Sequence, residues 1–325
     1  MIRATIIRSI SVFSALVALG EVGCMNSESS PTAQSAPAST SGAAAQRMFD
    51  SPQAAVDALV DAARRRDRAE LKAIFGPEAQ RLESADLRQD DIDLQRFTGA
   101  YDAVHSLVEQ DGGYLLYVGS GDWWFPAPII PDGQRWRFDT ATGVDEILNR
   151  TIGMNELNAI DACTAFVRAE QQYFDIDPDG DGVHDYAEKL RSDAGKRNGL
   201  YWPDEPGAPM SPLGPAVTAA VKAGDVDPKA TGLQPYRGYY YRVLTAQGAG
   251  APGGAMNYID AQGHMTGGFA LIVWPAAYGE TGVMSFLVGK DAKVFQKDLG
   301  ENTDAAARNT KEFDPAGWSP AEGEP

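Results

Sequence analysis

Between Asp177 and Glu188 the chain runs Asp-Pro-Asp-Gly-Asp-Gly-Val-His-Asp-Tyr-Ala-Glu. Carboxylates at alternate positions repel one another if the backbone brings them together, so the stretch needs either open water or a cation. Gly182 stands where a sharp turn is required. This stretch is therefore a loop, and the chain on either side must form separate elements.

The twelve-residue spacing suits calcium. Asp177, Asp179 and Asp181 hold the first, third and fifth positions, and Val183 offers a carbonyl. Asp185 gives a direct or water-mediated oxygen, and Glu188 a bidentate carboxylate from the start of the next helix. Three features depart from the usual pattern: Pro178 stiffens the second position, His184 replaces an aliphatic residue, and there is no second copy. The alternative is a solvated acidic turn whose Gly and Asp residues serve loop geometry alone. The expected role is a structural clip rather than a sensor, with a Kd on the order of 10⁻⁴ to 10⁻³ M.

Met1–Gly23 has the pattern of a bacterial export signal (residues 1–23), with Arg3 and Arg8 ahead of the short apolar run Ile10–Gly20. Gly23-Cys24 resembles the lipidation site of bacterial lipoproteins, although Glu21 stands where Leu is usual. Lipidation at Cys24 is expected, with plain cleavage and secretion as the alternative. Residues 24–48, rich in Ser, Ala, Pro and Thr, form a flexible tether. The expected location is thus exported: periplasmic, anchored to the outer membrane as a lipoprotein, or secreted. A net charge of −17 argues against nucleic acid or an anionic membrane surface as partner. Membrane contact is expected only through a lipid on Cys24. Cys163, the second of two cysteines, is expected as a small buried hydrophobe.

The remaining chain predicts an α+β fold in two domains, residues 49–150 and 151–320. In the first, Ser51-Pro52 opens a helix carrying Val56, Leu59 and Val60. A short helix at Leu71–Phe75 and a longer one from Leu94 to Val104 follow. Tyr114–Val118, Trp124–Ile130 and Arg135–Phe138 then have strand character. Helices on a curved antiparallel sheet would make this half cone-like. In the second, a helix capped by Asn155 runs into the Asp177 loop, and Tyr186–Leu190 begins a short exit helix. Strands follow at Tyr239–Thr245, Gly268–Trp274, Val283–Val288 and Lys293–Gln296. One long helix with an antiparallel sheet is a pilin-like plan, although the apolar assembly helix of a pilin is missing ahead of Asn155.

Several stretches resemble a bacterial family catalogued only as domain of unknown function 2950. They include Trp123-Trp124-Phe125-Pro126, Trp136-Arg137-Phe138-Asp139-Thr140, Ile152-Gly153-Met154-Asn155-Glu156-Leu157, Gly199-Leu200-Tyr201-Trp202-Pro203, Tyr236-Arg237-Gly238-Tyr239-Tyr240-Tyr241 and Gly267-Gly268-Phe269-Ala270-Leu271. The likeness spans roughly Phe49 to Trp318. It implies an exported envelope protein with no assigned activity and no catalytic residue to carry over.

Catalytic signatures are weak. His105, His184 and His264 are too scattered for a zinc site, and no Gly-x-Ser-x-Gly elbow or phosphate-binding loop is present. Trp123, Trp124, Tyr201, Trp202, Tyr236 and Tyr239–Tyr241 form either a binding platform or ordinary core. Arg237 and Arg242 beside them would suit a carboxylate clamp. The leading expectation is a non-enzymatic binding or assembly module, stabilised by calcium, whose partner is an envelope protein or glycan. The alternative is a hydrolase acting on cell-wall or polysaccharide material through paired carboxylates. A third reading, a pilin-like subunit, requires self-association through the helix from Asn155.

Overall fold

The computed structural model describes residues 45–321 apart from 83–86, 122, 179, 205, 208 and 224–232. Helix α1 (Pro52–Arg65) starts where Ser51 accepts the Ala54 N–H at 3.1 Å and proline occupies the first turn. It ends at Arg66 in the left-handed conformation, φ 54°. Asp67 caps α2 (Arg68–Phe75), a 3-10 turn spans Gly76–Leu82, and α3 covers Leu87–Ala103. Four antiparallel strands then meander in the order β1 (His105–Gln110), β2 (Gly113–Val118), β3 (Ile129–Asp132) and β4 (Arg135–Phe138). Val56, Leu59, Ile74, Leu116, Ile129 and Phe138 fill the core between helices and sheet. Phe49 exchanges two 2.8 Å backbone hydrogen bonds with Trp136, which ties the chain entering α1 to the last strand.

The expected strand Trp124–Ile130 shortens to one that begins at Ile129. Pro126 and Pro128 lack the N–H groups a ladder needs, so only Trp124 bridges to Tyr117.

Helix α4 (Thr140–Ile176) starts fifteen residues earlier than the Asn155 cap expected from sequence, and at 37 residues it is about 55 Å long. The cap is Asp139, whose carboxylate takes the Thr142 hydroxyl at 2.9 Å. Asn155 lies within the helix, where its amide donates to the Thr281 carbonyl at 3.0 Å. Gly143, which hid the early turns from a periodicity reading, is there for space. A Cβ on it would stand 2.7 Å from that of Ala127. The helix also passes unbroken through Arg150–Thr151, where the sequence reading divides two domains.

Beyond the acidic loop the expected exit helix at Tyr186–Leu190 does not form. Its backbone donors go elsewhere: the Tyr186 N–H to Met265 O at 2.9 Å and the Ala187 N–H to Glu170 Oε2 at 2.9 Å. After α5 (Gly214–Ala223) come β5 (Tyr239–Leu244), the small β6–β7 pair (Ala246–Gln247 and Met256–Asn257), β8 (Ala270–Pro275), β9 (Met284–Gly289) and β10 (Val294–Asp298). Helix α6 (Thr303–Asn309) and β11 (Ser319–Pro320) complete the chain. The main sheet is antiparallel in the order β11-β10-β9-β8-β5. Tyr241 and Val243 pair with Val273 and Leu271, so these four share the α4 face. Tyr240 and Arg242 pair with Trp274 and Ile272 on the opposite face, which α6 covers. Helices and antiparallel sheets thus make an α+β fold.

Candidate functional site

Asp177 ends α4 in the left-handed conformation, φ 43°, and its carboxylate organises the turn that follows. One oxygen accepts the Gly180 N–H at 3.2 Å and the other the Gly182 N–H at 3.1 Å. Both glycines have positive φ, 72° and 84°, which explains why the loop needs glycine there. Asp181 accepts the Val183 N–H at 2.7 Å. Asp179 lies outside the described residues.

Farther round, Asp185 and Asp181 face His264, at 3.3 and 3.9 Å from its Nδ1. The hydrogen bond to Asp185 holds the His264 pKa above its ordinary value. Its turn is built by Asp260, which accepts the N–H groups of Gln262 and His264 at 2.9 and 3.0 Å. Those bonds, led by the one from His264, keep Asp260 below the usual carboxylate range. In the sequence His264 is only one of three scattered histidines; the fold brings it to the acidic loop. His184 turns instead to the end of α4, where Nδ1 meets Phe174 O at 2.5 Å.

Glu188 is not gathered with this group in a helix. It is exposed and lines a concavity beside Lys189 and Tyr201. Among the described residues no three His, Cys, Asp or Glu side chains converge as a metal site would require. The donor types present, carboxylates and a backbone carbonyl, are those of a hard cation.

One carboxyl was missed by sequence reasoning. Glu170, on α4, is fully buried; Oε2 takes the Ala187 N–H, while Oε1 has no partner among the described residues. Burial, reinforced by the charge of Asp185, pushes its pKa well above the ordinary value of a glutamate. No sequence signal marks it beyond its position on the apolar stripe with Phe166 and Tyr173. Cys163, buried on the same helix, has its thiol pushed up to about 12 by burial. Cys24 lies outside the described residues. Among the described residues no helix is long and apolar enough to cross a membrane.

The aromatics divide. Trp202 and Tyr239 are core: the indole donates to Pro209 O at 3.0 Å and the phenol to Met284 O at 3.0 Å. Trp123 is exposed and Trp124 half-buried, with the Arg150 guanidinium 5.6 and 4.6 Å from their rings. A cavity of about 410 Å³ opens beside Trp124, Tyr117, Pro126 and Pro128. The acid on its wall, Glu146, is already bound to Arg150 at 2.7 Å. A second cavity, about 620 Å³, is walled by α4, α5 and β5 and touched by Tyr201, Tyr236 and Tyr241. The two arginines expected to act together make different contacts. Both line this cavity, but the Arg242 guanidinium donates to Ala307 O and Thr310 O, beside α6.

No curated protein and no solved structure matches the chain. A family model does, over residues 46–321, which takes in both cores, the acidic loop and both cavities. The chain therefore belongs to the family described as Protein of unknown function (DUF2950).

Proposed function

We propose that this chain is an exported envelope protein, a binding or assembly module without catalysis, in which the Asp177–Glu188 loop is a structural calcium clip. The observation that carries the reading is the Asp177 carboxylate, which takes the Gly180 and Gly182 N–H groups and curls the loop back over the end of α4. A cation bound there would join α4 to the segment through Glu188 and stabilise the fold by linkage. Free calcium at about ten times Kd contributes about 1.4 kcal/mol. The leader at residues 1–23 and a lipid on Cys24 would place the module where calcium is plentiful. The cone-like and pilin-like likenesses of the two halves belong to the same reading. Its partner would be an envelope protein or glycan.

Thermal unfolding with calcium, and then with chelator, tests the metal. The midpoint should rise with calcium in the wild type and stay fixed in Asp181→Ala; equal midpoints in the wild type under both conditions defeat the clip. Mass spectrometry of the mature N-terminus reads the state of Cys24 directly.

A further inference from the structure

The 620 Å³ cavity is the strongest unassigned feature of the molecule, and its size falls within the roughly 300–1,000 Å³ usual for small-ligand sites. Its walls are mainly apolar: Ala162 and Phe166 from α4, Leu213 and Val217 at α5, Val243 and Leu271 from the sheet. Such a surface favours an apolar body, because burying it removes hydrocarbon from water.

Charged groups line it too: Asp161 and Glu188 are acidic, and Lys189, Arg191, Arg237 and Arg242 are basic. Tyr241 contributes a hydroxyl whose hydrogen bond to Tyr236 O spans 3.5 Å, long for such a bond. Beside it stands Arg237, exposed, with its guanidinium 5.3 Å from the Tyr236 ring and 2.6 Å from Asn158 Oδ1. Among the described residues its contacts are an uncharged amide and a ring, with no ion pair.

The backbone under that arginine adds an independent observation. Arg237 and Gly238 are the two central residues of the tight turn between Tyr236 and Tyr239, with φ 48° and 77°. A turn of this kind favours Asn-Gly, since Asn tolerates positive φ and a long side chain does not. Gly238 meets the conformational need of its position; arginine at 237 does not. Strained residues persist where their side chains are used.

We propose that this cavity binds a single-chain anionic amphiphile, with its tail against α4 and α5 and its carboxylate or phosphate on Arg237. The planar fork of arginine accepts either oxyanion in bidentate fashion. In a chain of net charge −17, a cavity lined by four basic and two acidic side chains favours an anionic ligand. The inference does not depend on calcium.

Isothermal titration of the full chain with decanoate, decyl phosphate and 1-decanol tests it. One or both anions should bind at a single site at least tenfold more tightly than decanol, and whichever binds better identifies the head group. Arg237→Asn should lower anion affinity at least tenfold, leave decanol unchanged and not lower the thermal midpoint, because asparagine suits the turn. Ala162→Trp, which fills the cavity from α4, should abolish binding of all three. The proposal is overturned if no probe binds, if decanol matches the anions, if Arg237→Asn spares the anions, or if a folded Ala162→Trp still binds them.

Discussion

Strand β8 buries all six of its residues, while β1 exposes five of six and leaves one half-buried. Both belong to antiparallel sheets, and the difference is cover. In the main sheet α4 lies on one face and α6 on the other, so Leu271 and Val273 meet one helix while Ile272 and Trp274 meet the second. In the first sheet β1 is an edge strand, paired among the described residues with β2 alone. Stability therefore concentrates in the second core, and the first sheet carries a rim that contributes little. A residue's position across the sheets should predict the cost of changing it.

The largest effect belongs to Trp274. Its ring is fully buried, and its indole donates to Asp304 at 2.9 Å. Trp274→Ala loses the packing and leaves a void, at a cost of about 3–5 kcal/mol. Urea denaturation followed by far-UV circular dichroism checks it. A loss under about 1 kcal/mol would break the comparison, since substitutions at that level are typical of exposed sites.

The second core also holds a carboxyl, Glu170, and the first core has no such group among its described buried residues. Glu170→Ala leaves the Ala187 N–H without its partner and should cost about 1–3 kcal/mol. The pH dependence has a definite sign. The folded pKa is raised, so the stability that Glu170 contributes is fully present below its unfolded value of about 4.3. That contribution is lost as pH climbs from there toward the raised folded value. Glu170→Gln stays uncharged throughout, so its stability should fall less than the wild type's between acidic and neutral pH. Urea midpoints at a series of pH values decide it; parallel curves would mean that the Glu170 pKa is ordinary.

Legibility in the sequence follows the same division. The continuous apolar run of β8 and the Ser51-Pro52 start of α1 were plain, because each depends on local pattern. Of the five main-sheet strands, β5, β8, β9 and β10 were located to within two residues, whereas the two-residue β11 was not read. Helix α4 was read fifteen residues short because Gly143 and Gly153 interrupt its stripe, and the first of them answers to Ala127, a contact no local window reveals. The exit helix after the acidic loop failed for a related reason. Its N–H groups are taken by Met265 and Glu170, remote partners that outweigh helical propensity. At the loop itself, the turn-forming roles of Asp177, Gly180 and Gly182 were legible as spacing. The approach of His264 was not, because it depends on where the β-rich half folds back. Arg237 and Arg242 looked equivalent beside the tyrosines; the fold puts Arg237 in the turn before β5 and ties the Arg242 guanidinium to carbonyls beside α6.

The smallest effect sharpens the comparison from the other side. Val108 sits on β1, 42 % exposed, opposite Leu115 of β2. Val108→Lys removes a partly buried β-branched side chain but adds a charge that water solvates fully, so stability should change by no more than about 0.5 kcal/mol. The same change should act between molecules. An exposed edge with unpaired N–H and C=O groups invites strand addition, and a lysine there opposes it. Static light scattering at high protein concentration should show less association for Val108→Lys than for the wild type, at an unchanged urea midpoint. A large drop in that midpoint would mean that β1 is covered by contacts like those of β8, and the contrast between the two sheets would fail.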